Sequence, residues 1–158
     1  MRTEFVYLAG PMSGLTYEDA LAWRVEATEA LRRISASASS VHYHTLDPCR
    51  GKEYLTGSVL AGVDTKDQGW GDIIVPRDKY DVLRSAIVLV NLLPGEKVGK
   101  VSIGTMFEIA WAADHGRYTI VVMRHGDPVH DHEFVRKNAS IVVPNLDAAY
   151  ECIKGLNP

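Results

Sequence analysis

The chain has 158 residues, of which 46% are hydrophobic and 23% charged, with a formal net charge of −3 at pH 7. Such proportions suit a single globular domain over residues 1–158 with a core of its own, and they exclude a disordered chain. The charge leaves no electrostatic footprint for a nucleic-acid polymer, and no run reaches the roughly 18 apolar residues that read as a membrane span.

Residues 5–9 form a short apolar run closed by Gly10-Pro11, which predicts a strand followed by a loop. Thr16 with Asp19 three positions later resembles a capping box and opens a helix. Within it Leu21, Val25, Thr28, Leu31 and Ile34 recur at helical spacing and predict one buried stripe, ended by the serine-rich stretch 35–40. Residues 41–45 read as a second strand. From 47 to 72 the periodicity fails and glycines scatter among polar residues, over a span longer than most loops in compact domains, which marks a functional or mobile segment.

Residues 77–84 read as a helix, and 86–93 (AIVLVNLL) as a central parallel strand covered on both faces and stopped by Pro94-Gly95. A helix over 103–115 follows, with Gly116 placed as its C-terminal cap. A strand at 118–123, a short helix at 131–137, an apolar run at 140–143 and a last helix at 146–155 complete the alternation. The fold class this predicts is α/β: a single-domain, doubly wound parallel sheet of the Rossmann-like or flavodoxin-like kind, flanked by helices. Ligands of such sheets bind beyond the carboxyl ends of the strands, where strand order reverses. The loop after Ala9, the segment before Tyr80 and the turn into the 103–115 helix are expected to meet there.

Cys49 and Cys152 stand far apart without metal-ligand spacing, and no signal-peptide pattern opens the chain, so a cytoplasmic protein with reduced thiols is expected. Glu108 is an unusual acid, set in the second turn of its helix among small and apolar residues. One reading is a glutamate complementing the helix dipole; the other is a reactive carboxylate. Ser102 is open in the same way, as a helix N-cap or as part of a phosphate cradle at a helix N-terminus. His130 lies in the run Asp127-Pro128-Val129-His130-Asp131-His132, where solvation competes with ligand contact and no third ligand supports a metal. Trp70 offers an indole for stacking on a base, or for core packing.

Three motifs in order, YLAGPMSG at 7–14, RDKYDVLRSAIVLVNL at 77–92 and SIGTMFEIAWA at 102–112, resemble the nucleoside 2-deoxyribosyltransferase family, which includes related deoxynucleoside 5′-monophosphate N-glycosidases. The resemblance implies Glu108 as the nucleophile that captures the deoxyribosyl carbon, Tyr7 as the residue orienting it, and Asp78 as the acid acting on the leaving base. Asp81 is the rival to Asp78, and the family's spacing to Ala86 selects Asp78. It further implies a base pocket lined by Gly10, Pro11, Met12, Ser13 and Trp70. Ser102, where free-nucleoside enzymes carry aspartate, implies a 5′-monophosphate substrate, with Gly104 beside it and His130 reaching a neighbouring subunit's site at the sugar's 5′ end. No cofactor and no metal are implied. The expected partners are a nucleoside or nucleotide and other copies of the chain, in a homodimer or higher homo-oligomer with shared active sites. A non-catalytic nucleotide-sensing module is the alternative.

Overall fold

The computed structural model describes residues 2–37, 40–60 and 70–157. Five strands, β1 (Arg2–Ala9), β2 (Val41–Leu46), β3 (Ile87–Asn91), β4 (Tyr118–Val122) and β5 (Ile141–Val143), form one parallel sheet in the order β2-β1-β3-β4-β5. The helices are α1 (Tyr17–Ser37), α2 (Trp70–Arg84), α3 (Leu93–Val98), α4 (Ile103–Asp114), α5 (Glu133–Asn138) and α6 (Leu146–Gly155), with a 3-10 turn at Glu53–Leu55. The doubly wound α/β fold expected from the alternation is the one observed. No helix among the described residues is long and apolar enough to cross a membrane.

Strand alternation divides the core. Val6, Leu8, Leu89, Ile120 and Val122 pack on one face against α1 and α6, through residues such as Leu31, Ile34 and Ile153. Tyr7, Ala9, Val88, Val90 and Val121 point to the other face, where Val82 of α2, Ile109 and Ala112 of α4 and Val135 of α5 cover them. All five residues of β3 are buried, as a strand covered on both faces requires. Strand order reverses between β1 and β3, so the connections leaving these two strands open a crevice at their carboxyl ends.

Three expectations change. The buried stripe of α1 is Ala20, Trp23, Arg24, Ala27, Leu31 and Ile34, while Val25 is exposed. The stripe rotates because Arg24 turns inward and spends its donors on backbone carbonyls at the end of β1. Helix α2 begins at Trp70, with Pro76 inside it, so it starts ahead of the helix read at 77–84 and its first residues fall in the segment read as aperiodic. Pro94-Gly95 stops β3 and then opens α3, because a proline at the first helical positions forfeits no intrahelical hydrogen bond.

Candidate active site

Helix α4 sets one half of the site. Its buried positions are Thr105, Glu108, Ile109 and Ala112, a stripe at three- and four-residue spacing that faces the sheet. Glu108 therefore occupies a place where the fold calls for an apolar side chain, and only 8% of it is exposed. Across the interface, alternation turns Tyr7 of β1 to the same side. Its hydroxyl donates to Glu108 Oε1 at 2.6 Å.

Burial pushes the Glu108 carboxyl up to about 7; the Tyr7 hydrogen bond opposes this, Asp78 adds to it, and the Arg24 and Lys52 cations oppose it. Burial, and then the Glu108 charge, hold the Tyr7 phenol well above its ordinary range, so it remains a donor. Asp78 of α2, 8% exposed, is raised by burial, against the pull of Arg77. Its Oδ1 accepts from Arg77 Nε at 3.0 Å and Nη2 at 2.9 Å. Two carboxyls whose charges repel thus share one buried locality, the arrangement from which perturbed acid–base groups arise.

Asp81, the rival acid, is more deeply buried and is held by Arg50 and by Arg84, the latter at 2.8 Å. It anchors α2, and its charge helps to raise Asp78.

The loop after β1 has its own constraints. A Cβ on Gly10 would stand 2.9 Å from both the Asn91 carbonyl oxygen and Trp23 Cζ2, so only glycine fits where the chain leaves the sheet. Arg24, with no exposed surface, donates from Nε to the Leu8 carbonyl at 3.3 Å, from Nη2 to the Gly10 carbonyl at 3.0 Å and from Nη1 to the Ala20 carbonyl. Pro11 is buried, Met12 is half-buried with its sulfur 3.4 Å from Cys49 Sγ, and Ser13 is exposed. The segment after β2 folds back over this loop: Gly14 N donates to the Leu60 carbonyl and Leu60 N to the Leu15 carbonyl, each at 2.8 Å. Trp70 opens α2, but its side chain lies outside the described residues.

Ser102 is the N-cap of α4, its Oγ accepting from Thr105 N at 3.4 Å and Thr105 Oγ1 at 3.0 Å. Gly104 is exposed, and a Cβ there would meet nothing. The cap and the open first turn together leave backbone N–H groups facing solvent at a helix N-terminus, a geometry that accepts an anion.

His130 departs from expectation. It is 1% exposed, its Nδ1 lies 2.8 Å from Asp127 Oδ2, and Asp127 Oδ1 accepts from Val129 N and His130 N. A Cβ on Gly95 would lie 2.9 Å from His130 Nε2. The ring packs beneath α3 inside its own chain. The sequence offers no sign of this, because a histidine between aspartates reads as a surface run. His132 also has a structural task, capping α5 by accepting from Phe134 N.

Sequence reasoning missed Arg24, Lys52 and Arg77 as groups of the site. Arg24 sits in an apolar helix stripe and Lys52 in a segment without periodicity, and neither pattern distinguishes a buried cation from a solvated one.

No family model matches the chain, and no curated protein matches its sequence. Solved structures match its fold over nearly the whole length. A conserved protein from Enterococcus faecalis V583 aligns with a TM-score of 0.64 at 15% identity, covering 97% of this chain and 98% of that one. The 2-deoxyribosyltransferase of Bacillus psychrosaccharolyticus aligns with a TM-score of 0.60 at 14% identity, covering 92% and 90%. A molybdenum cofactor binding protein from Rippkaea orientalis aligns with a TM-score of 0.55 at 13% identity, covering 99% and 98%. The chain has the fold of 2-deoxyribosyltransferases. That fold also serves a binding protein, so the fold alone does not set the function and the side chains of the site do.

Proposed function

We propose that the protein cleaves the N-glycosidic bond of a 2-deoxynucleoside, and in particular of its 5′-monophosphate, through a covalent glycosyl intermediate on Glu108. The observation that carries this reading is the Tyr7–Glu108 hydrogen bond of 2.6 Å, buried at the switch point of a fold shared with a 2-deoxyribosyltransferase.

The chemistry follows from the groups present. Departure of the base leaves an oxocarbenium-like C1′, and an adjacent carboxylate collapses onto it, as in retaining glycosidases. Glu108 acts in its ionised form: the C1′–N bond breaks as the bond from a Glu108 oxygen to C1′ forms, and the electron pair goes to the base. Tyr7 holds the carboxylate in one orientation and stabilises its charge by donating to it. Asp78, raised by burial, passes a proton to the departing base and removes one from the acceptor, whether a second base or water. The N-terminus of α4, capped by Ser102, receives the 5′-phosphate.

The chain works as a homo-oligomer in this reading. Ile103 and Phe107 on α4 and Phe134 on α5 are 73%, 54% and 77% exposed, an apolar face beside the site that a second copy covers.

A nucleotide-binding module without turnover is the second reading, because a cofactor-binding protein has the same fold. Chromatography for free base after incubation with a panel of 2-deoxynucleosides and their monophosphates decides between them. Mass spectrometry of acid-quenched protein adds the direct check, a deoxyribosyl adduct on the peptide containing Glu108. Binding without base release leaves the module reading standing.

A further inference from the structure

Lys52 lies at the start of the 3-10 turn after β2 and is only 7% exposed. Its loop is fastened to α2 beside Asp78: Arg77 donates from Nη2 to the Pro48 carbonyl at 2.9 Å and from Nη1 to the Arg50 carbonyl at 3.3 Å, while also binding Asp78 Oδ1. The Lys52 charge is felt by Asp78 and by Glu108. Among the described residues no carboxylate pairs with its ammonium and no acceptor takes a hydrogen bond from it. Asp78, Cys49, Arg77, Arg24 and Glu108 are the ionisable groups around it.

Most of the Lys52 side chain is buried, but its Nζ is not among the buried atoms left without a partner, so the ammonium meets solvent at the crevice, where it offers three donors and no acceptor. A ligand that displaces water from it has to bring an oxygen or nitrogen lone pair into the crevice. Lys52 follows β2 and Ser102 follows β3, and these strands flank β1 on opposite sides. A nucleotide lying across the carboxyl end of β1 with its phosphate at Ser102 therefore presents its base to Lys52.

We infer that Lys52 is the base-selecting residue, donating a charged hydrogen bond to an exocyclic carbonyl oxygen of the leaving base. The substrates are then nucleotides of oxo-bases, and those carrying an amino group at that position are rejected. This inference rests on the glycosidic cleavage proposed above. As the C1′–N bond breaks and Glu108 bonds to C1′, negative charge spreads from the ring nitrogen onto that carbonyl oxygen. The Lys52 hydrogen bond strengthens as it does so, and the proton reaches the ring nitrogen from Asp78. Burial, the largest influence on Lys52, shifts the ammonium below its ordinary range, while the Asp78 charge opposes this.

The test compares deoxyinosine and deoxyadenosine 5′-monophosphates, whose bases differ by a carbonyl against an amino group. Wild type should favour the inosine form in kcat/KM. Lys52→Met should lose roughly 10- to 100-fold with the inosine form and little with the adenosine form, and Lys52→Arg should restore part of the preference. Equal wild-type rates on the two nucleotides, or an equal loss on both in Lys52→Met, would overturn the inference while leaving the cleavage reading intact. So would a Lys52→Met loss confined to monophosphates regardless of base, since that marks a phosphate contact. Base release from neither nucleotide, nor from any deoxynucleoside, would overturn the cleavage reading and this inference with it.

Discussion

Tyr7 and Glu108 lie 101 positions apart in sequence, yet their side chains meet at 2.6 Å in the crevice beside β1. The tyrosine is the only hydrogen-bonding partner of the Glu108 carboxyl among the described residues, and it opposes the burial that raises that carboxyl to about 7. Tyr7→Phe removes that opposing effect. On the proposed mechanism the acidic limb of kcat/KM reports ionisation of Glu108, and it should begin near pH 7 in wild type and move to higher pH in the variant. The loss at pH 7 should be at least about tenfold and should shrink as pH rises. A pH–rate profile from 5.5 to 9.5 reads this directly, and an unmoved limb means that the titrating group is not Glu108.

The same carboxyl also makes the site a cost to the fold. A group whose folded value, about 7, exceeds its ordinary 4.5 binds more protons in the native than in the unfolded state. Stability therefore falls as pH rises from about 4.5 through 7 and stays lowered above it, by about 3 kcal/mol at about 1.4 kcal/mol per unit. Glu108→Gln cannot ionise and still offers Tyr7 a carbonyl oxygen. Urea unfolding should show the variant more stable than wild type at pH 8 by up to that amount, with the gain gone at pH 4 and glycosidic cleavage abolished. A variant destabilised at pH 8 would mean that the ionised carboxylate holds the fold together.

Much of this was legible in the sequence. Apolar runs and helix signals are enough to place the five strands and most helices, because the strands are near-continuous apolar runs and helices such as α4 and α6 carry N-caps. Helix α6 (Leu146–Gly155) was read with its bounds as observed. The juxtaposition of Tyr7, Asp78 and Glu108 came from motif resemblance, since no local pattern reports a contact across the chain. The inward turn of Arg24 was not legible: its warrant is the carbonyls of Leu8 and Gly10, which become acceptors only once β1 has ended against α1. The turn of His130 beneath Gly95 depends likewise on a tertiary neighbour.

His130→Ala should accordingly act on stability. It removes a buried ring and leaves the Asp127 carboxylate, now held by the ring and two backbone N–H groups, short of one partner. A loss of about 2–3 kcal/mol is expected in chemical denaturation, with the ratio of monophosphate to nucleoside activity unchanged. A change in that ratio at constant stability would restore His130 to the substrate site.

Asp78→Asn separates proton transfer from positioning. Oδ1 of Asp78 is taken by Arg77, whereas Oδ2 accepts no hydrogen bond among the described residues and is the oxygen free to carry a proton. An amide keeps the Arg77 contact but supplies no acid. The loss should reach about 10²- to 10⁴-fold for bases that leave poorly and be far smaller for activated bases. Steady-state rates across a series of leaving groups test this, and a uniform loss assigns Asp78 to positioning.

Ser102→Asp bears most directly on the phosphate. Aspartate is as good an N-cap as serine, so the change should leave α4 and the thermal midpoint nearly unaltered, and it complements the helix dipole. Its carboxylate can accept from Thr105 as the serine Oγ does now, at 3.4 Å from the backbone N and 3.0 Å from Oγ1. Stability is thus controlled, and substrate charge becomes the variable. A carboxylate at this helix start opposes a 5′-phosphate with several kcal/mol of like-charge contact in a partly desolvated site, but can accept a hydrogen bond from a free 5′-hydroxyl. Wild type should process deoxynucleoside 5′-monophosphates better than the matching nucleosides, and the variant should lose that preference or reverse it while keeping most of its nucleoside activity. The decisive quantity is the ratio of kcat/KM for the two substrate forms in each protein. A wild-type enzyme that ignores the phosphate, or a variant whose ratio does not move, would leave Ser102 as a helix cap alone and make a free nucleoside the substrate.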